Sequence, residues 1–307
     1  MSADIASSGP IAPAPAATAS MMADPVPMWV RILRESGRQW RVRIGLTFTV
    51  FILMVALLGP LVAPHSPQSF VGIPFSGPSA TAPLGTDVLG RDVLSRVLYG
   101  GRTVVWMSIA AATLGTLIGT FFALIAGSGS ALVDDLIMRT MDVLLALPVI
   151  IFTILFISLL GSREWLIVLL VSIGHAPQVA RTMRGATLEV VQRDFVRASE
   201  ALGVSRRRIL TGDVLPNIIT PLSVEYGLRI VWSIAAIAAL SFLGYGIQPP
   251  AADWGLMINE NRSGMTTQPW AVIAPMLCIA IFALGVNLIV EGVGRSVSRV
   301  DARGGEE

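Results

Sequence analysis

The sequence predicts an all-α integral membrane protein with six transmembrane helices, and three observations carry that expectation. Hydrophobic residues make up 53% of the 307-residue chain and charged residues only 14%, against about 25% charged in soluble domains. Mean hydropathy is +0.71. Six separate runs, about 44–63, 104–126, 137–160, 165–183, 222–246 and 270–290, are each apolar over roughly the 20 residues that a helix needs to cross hydrocarbon.

The elements follow in order. Residues 1–27 are rich in Ala, Pro and Ser, without a basic start or an apolar stretch, and read as a disordered tail rather than a signal peptide. Over 28–43, Trp29, Leu33 and Trp40 share one helical face and Arg31, Arg34, Arg38 and Arg41 the other, which predicts an amphipathic interfacial helix leading into a first span over 44–63. A long external loop follows at 64–103, and a core over 104–292 contains the other five spans. The fourth run, with His175, Pro177 and Gln178, is the weakest and is expected to kink or to face protein. Residues 293–307 form a tail.

Charge sets the orientation. The chain has no lysine, so all 22 basic residues are arginine. Placing both termini in the cytoplasm leaves only Arg91, Arg96, Arg102, Arg163 and Arg262 outside and Arg229 within the fifth span, with every other arginine inside, as the positive-inside rule requires. The outer segments 64–103 and 247–269 are rich in Gly, Pro and Asp and read as ordered; Gly85 to Arg102 and Gln248 to Gly255 are expected to form an outer surface. Without lysine the chain cannot supply a Walker-type phosphate loop. No metal-ligand spacing, nucleophile elbow or pair of catalytic carboxylates appears, and Cys278, the single cysteine, reads as a packing residue.

The segment 193–221, RDFVRASEALGVSRRRILTGDVLPNIITP, is a charged stretch between two apolar runs. On a helical wheel Phe195, Ala198, Ser199 and Leu202 share one face and Arg193, Arg197, Glu200 and Arg207 the other, with Gly203 placed to end the helix. Such a loop is either a docking surface or a helix packed on its own chain. Among membrane charges, Asp135, Arg139 and Asp142 are spaced i, i+4, i+7, so one arginine can bridge two carboxylates, and Glu225 and Arg229 are spaced i, i+4. Intramembrane charges are candidates for a transport pathway as well as for structural pairs. Arg229 has the further option of snorkelling to the interface. His175 reads as a hydrogen-bonded packing residue, and Glu291 as solvated or paired with Arg295.

Several blocks together resemble one family. Leu84 to Gly101, Met138 to Asp142 with Leu147-Pro148, Phe195 to Asn217, Leu240 to Gly244, Pro249-Pro250 with Trp254-Gly255, Pro269-Trp270 and Asn287 to Gly292 are similar to the second permease subunit of bacterial dipeptide and oligopeptide ABC importers, the binding-protein-dependent systems. The resemblance implies a type I ABC importer permease fold, an amino-terminal helix plus a five-helix core, in the bacterial inner membrane. It implies alternating access in a complex with a homologous second permease, two ATP-binding subunits and an extracytoplasmic substrate-binding protein. ATP and Mg would sit on those partners, with no cofactor and no catalysis on this chain. The family serves peptides, nickel chelates and glutathione. It also implies that the loop before the fifth span is the coupling helix held in an ATPase groove, through Phe195, Arg197, Ala198, Ser199, Glu200, Ala201, Leu202, Gly203, Leu215 and Pro216. Arg197 stands where the family carries a glutamate, and Glu200 is the acidic residue of the next turn. A self-contained secondary transporter is the alternative, and it would call for internal repeats with broken helices.

Overall fold

A computed structural model describes residues 36–304, with side chains up to residue 297. The expected tail at 1–27 and the first part of the 28–43 helix lie outside the described residues. The helix expected over 28–43 does not continue as one piece. Gln39 is extended (ψ 129°), and α1 (Trp40–Val62) starts there, four residues before the predicted span. Trp40 and Arg41 therefore belong to the first span, where the Arg41 guanidinium lies 5.8 Å over the Trp40 ring.

α2 (Val93–Ser128) is longer than expected, because Asp92 caps it. The Asp92 side chain accepts from the Ser95 amide at 3.0 Å and moves the helix start eleven residues upstream of the predicted span. At 36 residues it is about 54 Å long, far more than a bilayer core requires, so Arg96 and Arg102 are helical rather than part of a loop. The third predicted span is not one helix. α3 (Ala131–Leu145) and α4 (Val149–Leu160) meet at a 79° bend. Pro148 caps α4, and a proline drives the preceding residue out of the α region. Among the described residues five helices thus qualify as spans by length and composition, and a sixth only if this bent pair crosses as one.

α5 (Glu164–Val191) runs unbroken through Pro177, and it is the most deeply buried of the candidate spans, facing protein as its composition suggested. After a short helix α6 (Asp194–Ala201), the chain makes an α turn at Arg206–Arg208, a π-helical stretch over Ile209–Val214 and another turn at Leu215–Asn217. α7 (Ile219–Phe242), α8 (Trp254–Asn261) and α9 (Trp270–Gly304) complete the bundle. α9 passes straight through the boundary at 292 where a tail was expected to begin.

Small residues set the helix packing. A Cβ on Gly115 would lie 2.9 Å from the Ser172 carbonyl oxygen, and one on Gly119 would lie 2.6 Å from that of Ala176. The backbones of α2 and α5 therefore touch, as in small-xxx-small contacts between membrane helices.

The region expected to be an outer surface is largely interior. Asp87, Arg91 and Arg96 are at most 3% exposed. Asp87 accepts from Arg91 Nε (2.6 Å) and Arg96 Nη1 (3.1 Å), and Glu260 accepts from Nη2 of both arginines (2.9 Å each). Asn261 Oδ1 accepts from the Val88 amide, and the buried Trp254 indole donates to the Val97 carbonyl at 2.8 Å. These bonds tie the loop before α2 to α8. The first part of the loop stays largely exposed, including residues 77–81, and its exposed large apolar side chains are Phe70, Ile73 and Leu89. Exposed Gln248 to Ala251 gives way to buried Asp253 and Trp254.

Two predictions follow from this cap. Arg96→Leu leaves the partly exposed Glu260 and the fully buried Asp87 each short of a partner and should cost about 3–5 kcal/mol, chiefly through Asp87. The exposed Arg139, 2.8 Å from Asp135, should cost no more than about 1 kcal/mol when changed to Leu. Thermal unfolding of the two variants in detergent gives the comparison, and equal losses would contradict this account of the cap. Burial also pushes the Asp253 carboxyl up from 3.8 to about 6, against the Leu256 amide that it caps. A raised folded pKa means that the folded state holds the proton more tightly, so its contribution is fully present below pH 3.8 and is lost as pH rises through 6. Asp253→Asn should remove that part of the decline, which unfolding midpoints measured from pH 4 to 6.5 would register.

Candidate functional site

The segment between α5 and α7 is built around one anchored residue. Val196 is fully buried and joins Val179, Met183, Val190, Ile209, Val214 and Ile218 in an apolar cluster at this end of the bundle. With Val196 turned inward, α6 presents Phe195, Ala198 and Leu202 outward at i, i+3, i+7. Phe195 is 41% exposed and Leu202 83% exposed. The apolar face predicted on the wheel is left uncovered by its own chain, with only Ser199 of that set partly covered, and the charged face is exposed as well.

Gly203 ends α6 in the left-handed region (φ +75°) with open space around the missing side chain. The Gly203 amide donates to the Glu200 carbonyl (2.9 Å) and the Val204 amide to Ser199 (3.1 Å), which is a Schellman close. Arg193, Arg197, Glu200 and Ala201 are exposed, as are Arg206, Arg207 and Arg208 beyond the turn. Arg193 pairs with Glu189 at 3.0 Å. Leu215 is half-buried and Pro216 exposed, so the two lie at the edge of the same end of the molecule.

The charges proposed for the pathway separate into two groups. Arg139 does not bridge two carboxylates: it binds Asp135, while Asp142 is taken by Arg181 of α5. All four are well exposed. α5 supplies a second arginine to α3 as well, with Arg184 making a two-pronged contact to Asp134 that sequence spacing gave no reason to expect. Glu225 and Arg229 form the expected ion pair at 3.1 Å, and both are over nine-tenths buried. Arg229 does not snorkel. Its Nη1 donates across to Gln178 Oε1 of α5 at 3.1 Å, and one turn further on His175 Nε2 lies 3.0 Å from Ser233 Oγ. His175 is thus a hydrogen-bonded interior residue, as read from sequence, and Gln178 and Ser233 are the partners that sequence did not identify. Glu291 receives both Arg41 of α1 (3.0 Å) and Arg295. It sits at the mouth of an open cleft of about 380 Å³ between α7 and α9.

The chain is similar to several known proteins. The family described as "Binding-protein-dependent transport system inner membrane component" matches residues 115–299. The glutathione transport system permease protein GsiD of Escherichia coli O6:K15:H31 (strain 536 / UPEC) is 35% identical over 267 residues, covering 86% of this chain and 88% of its own. A Brucella suis biovar 1 (strain 1330) protein, named as a candidate peptide transport system permease, is 32% identical over 261 residues, 85% of this chain and 88% of its own. Among solved structures, the MetNI methionine ABC transporter in inward-facing conformations aligns with a TM-score of 0.50 and 17% identity. That alignment covers 64% of this chain and 96% of the other, a likeness of fold alone.

Proposed function

We propose, from the premise that this chain belongs to the binding-protein-dependent transport system inner membrane components and is a permease of an ABC importer, that α6 is the surface through which a cytoplasmic ATPase drives it. The observation that supports this most is the uncovered apolar face of α6. Phe195, Ala198 and Leu202 are exposed on a helix held rigidly by Val196 and closed by Gly203. An apolar face of this size at a helix tip is worth burying in a groove, and the exposed arginines beside it suit an acidic rim.

In this reading the chain works with a homologous second permease, two ATP-binding subunits and an extracytoplasmic substrate-binding protein. ATP and Mg bind the partners, since all 22 basic residues here are arginine and a phosphate loop needs lysine. The α6 end faces the cytoplasm with both termini, and the α8 cap faces outward in the bacterial inner membrane. The substrate class is small peptides. Relatives named for glutathione and for peptides share one chemistry, a short amide chain with charged ends. Uptake of labelled glutathione and of dipeptides by the reconstituted complex would separate the two.

Two outcomes test the reading. Gly203→Trp would strain the left-handed turn whatever docks there, so Ala198→Trp is the cleaner probe. A bulky ring on the contact face should cost about 1–3 kcal/mol of docking, and should uncouple substrate-stimulated ATPase activity while the purified permease keeps its thermal stability. Arg197→Ala, on the charged face, should do much less. Normal uptake by Ala198→Trp would refute the assignment. For orientation, a membrane-impermeant thiol reagent added to intact cells should label Leu89→Cys but not Thr211→Cys, in a Cys278→Ser background, and should label Thr211→Cys in inverted vesicles.

A further inference from the structure

We infer that Gln178 is a substrate-contacting residue of the transport pathway, and that the buried Arg229 is the positioning residue that turns its amide N–H groups towards a carbonyl or carboxylate oxygen of the passing peptide. The inference rests on the small-peptide reading proposed above and names a contact that such a substrate meets inside the membrane.

Gln178 stands at the middle of α5, fourteen residues from its start and thirteen from its end, and its side chain is exposed. The face of α5 that carries it is closed on one side of this residue and open on the other. Towards the α8 end that face holds Gly174, Val171 and Ile167 at i−4, i−7 and i−11. Val171 and Ile167 are buried, and a Cβ on Gly174 would lie 2.6 Å from Val149 Cγ1 of α4. Towards α6 the same face holds Arg181, Thr182, Gly185 and Glu189 at i+3, i+4, i+7 and i+11, all of them exposed. Asp142 of α3, which Arg181 binds, is exposed too. A row of open polar side chains that begins halfway along a membrane span does not face hydrocarbon, where such groups find no partner. Charges this open also need water rather than a second protein surface, which would desolvate them. The row therefore faces water, and Gln178 is the polar residue at its closed end.

What Gln178 presents there is fixed from behind. On α7, Glu225, Arg229 and Ser233 repeat at i, i+4, i+8 as one buried stripe. Arg229 Nη1 donates to Gln178 Oε1 at 3.1 Å. A guanidinium has no acceptor, so the amide nitrogen cannot take that place, and the side chain is held with its oxygen inward and its NH2 outward. The described residues give that NH2 no acceptor. Because the donor to Oε1 is charged, it polarises the amide and strengthens the bonds its N–H groups can make. Glu225, 3.1 Å from Arg229 Nε, balances the guanidinium, so Gln178 offers donors without a net charge. A neutral donor suits passage, since it orients a peptide oxygen without retaining it. A peptide carries an acceptor at every carbonyl and at its carboxylate, whereas its ammonium, a pure donor, finds nothing to bind here.

The isosteric change Gln178→Glu separates the two ends of the side chain. It keeps an oxygen for Arg229, so a merely structural Gln178 would lose nothing by it, and it replaces the outward NH2 with an acceptor. Import is measured in proteoliposomes holding the whole complex and its binding protein, with a dipeptide and with the same dipeptide amidated at its carboxyl end. The amidated form brings N–H donors that a glutamate can accept. One binding protein serves both complexes, so its own preference cancels when the ratio of amidated to free dipeptide imported is compared between them. That ratio should rise about tenfold in Gln178→Glu, the scale of one hydrogen bond to a charged group. An unchanged ratio overturns the inference.

A second measurement does not depend on transport. In a Cys278→Ser background, Gln178→Cys, Gly185→Cys and Val171→Cys are each treated with a charged methanethiosulfonate in the ATP-free complex in nanodiscs, where both membrane faces are open. Reaction of Gln178→Cys at a rate near that of Gly185→Cys supports a wet row reaching Gln178. Reaction as slow as that of the buried Val171→Cys places Gln178 against protein or lipid and overturns the inference. Failure of the small-peptide reading looks different. The native complex then imports neither dipeptides nor glutathione, and the labelling rates alone decide whether Gln178 lies in the pathway.

Discussion

The backbone contact between α2 and α5 is the interaction on which the rest of the structure depends. Gly115 and Gly119 bring α2 within carbonyl contact of α5, and in lipid such close approach replaces the hydrophobic drive that water would supply. α5 makes polar contacts to neighbouring helices on two sides, through the buried His175 and through Gln178, Arg181 and Arg184, which keep part of their surface open. Arg181 and Arg184 reach the carboxylates of α3, and Gln178 and His175 reach the stripe on α7. The same helix ends at the anchored Val196 segment. One buried helix thus connects the bent α3–α4 pair, the α6 surface and α7.

The two ends of the molecule are built on opposite principles. At the α8 end, two arginines and two carboxylates form one network, with Asp87 and Arg96 completely buried, Arg91 nearly so and Glu260 at its edge. Such a network stabilises little relative to an apolar core but is costly to break, so it gives the loop before α2 a single arrangement. At the α6 end the arginines are exposed and the apolar residues Phe195 and Leu202 are exposed with them. A protein that seals charge at one end and leaves a hydrophobic tip open at the other is rigid where nothing has to change and unsatisfied where a partner has to bind.

The departures between sequence and structure share a cause. The start of α2 was legible in principle, since Asp92 and Ser95 have capping spacing, but the apolar run that marks a span begins only at 104, and a helix extending beyond the membrane carries no hydropathy signal there. Leu147-Pro148 was visible as a motif, yet apolar residues on both sides hid the 79° bend. Arg139 had two carboxylates at helical spacing and took one of them, because Asp142 sits nearer to an arginine 39 residues away. In each case a rule local to one helix was right about the residue and incomplete about its surroundings.

What the sequence determined by itself was short-range. The count and placement of the apolar runs, the faces of α6, the glycine that ends it and the Glu225–Arg229 spacing all follow from repeats of a few residues, and the blocks resembling peptide importer permeases are ordered along the chain. The tertiary structure alone decided which face of α6 is covered, that Arg91 and Arg96 are interior, and that Arg229 reaches Gln178. The physical reason is that a buried charge takes whichever partner the neighbouring helix offers. Which helix is the neighbour is set by close packing at positions such as Gly115 and Gly119, far along the chain from the charges that depend on it.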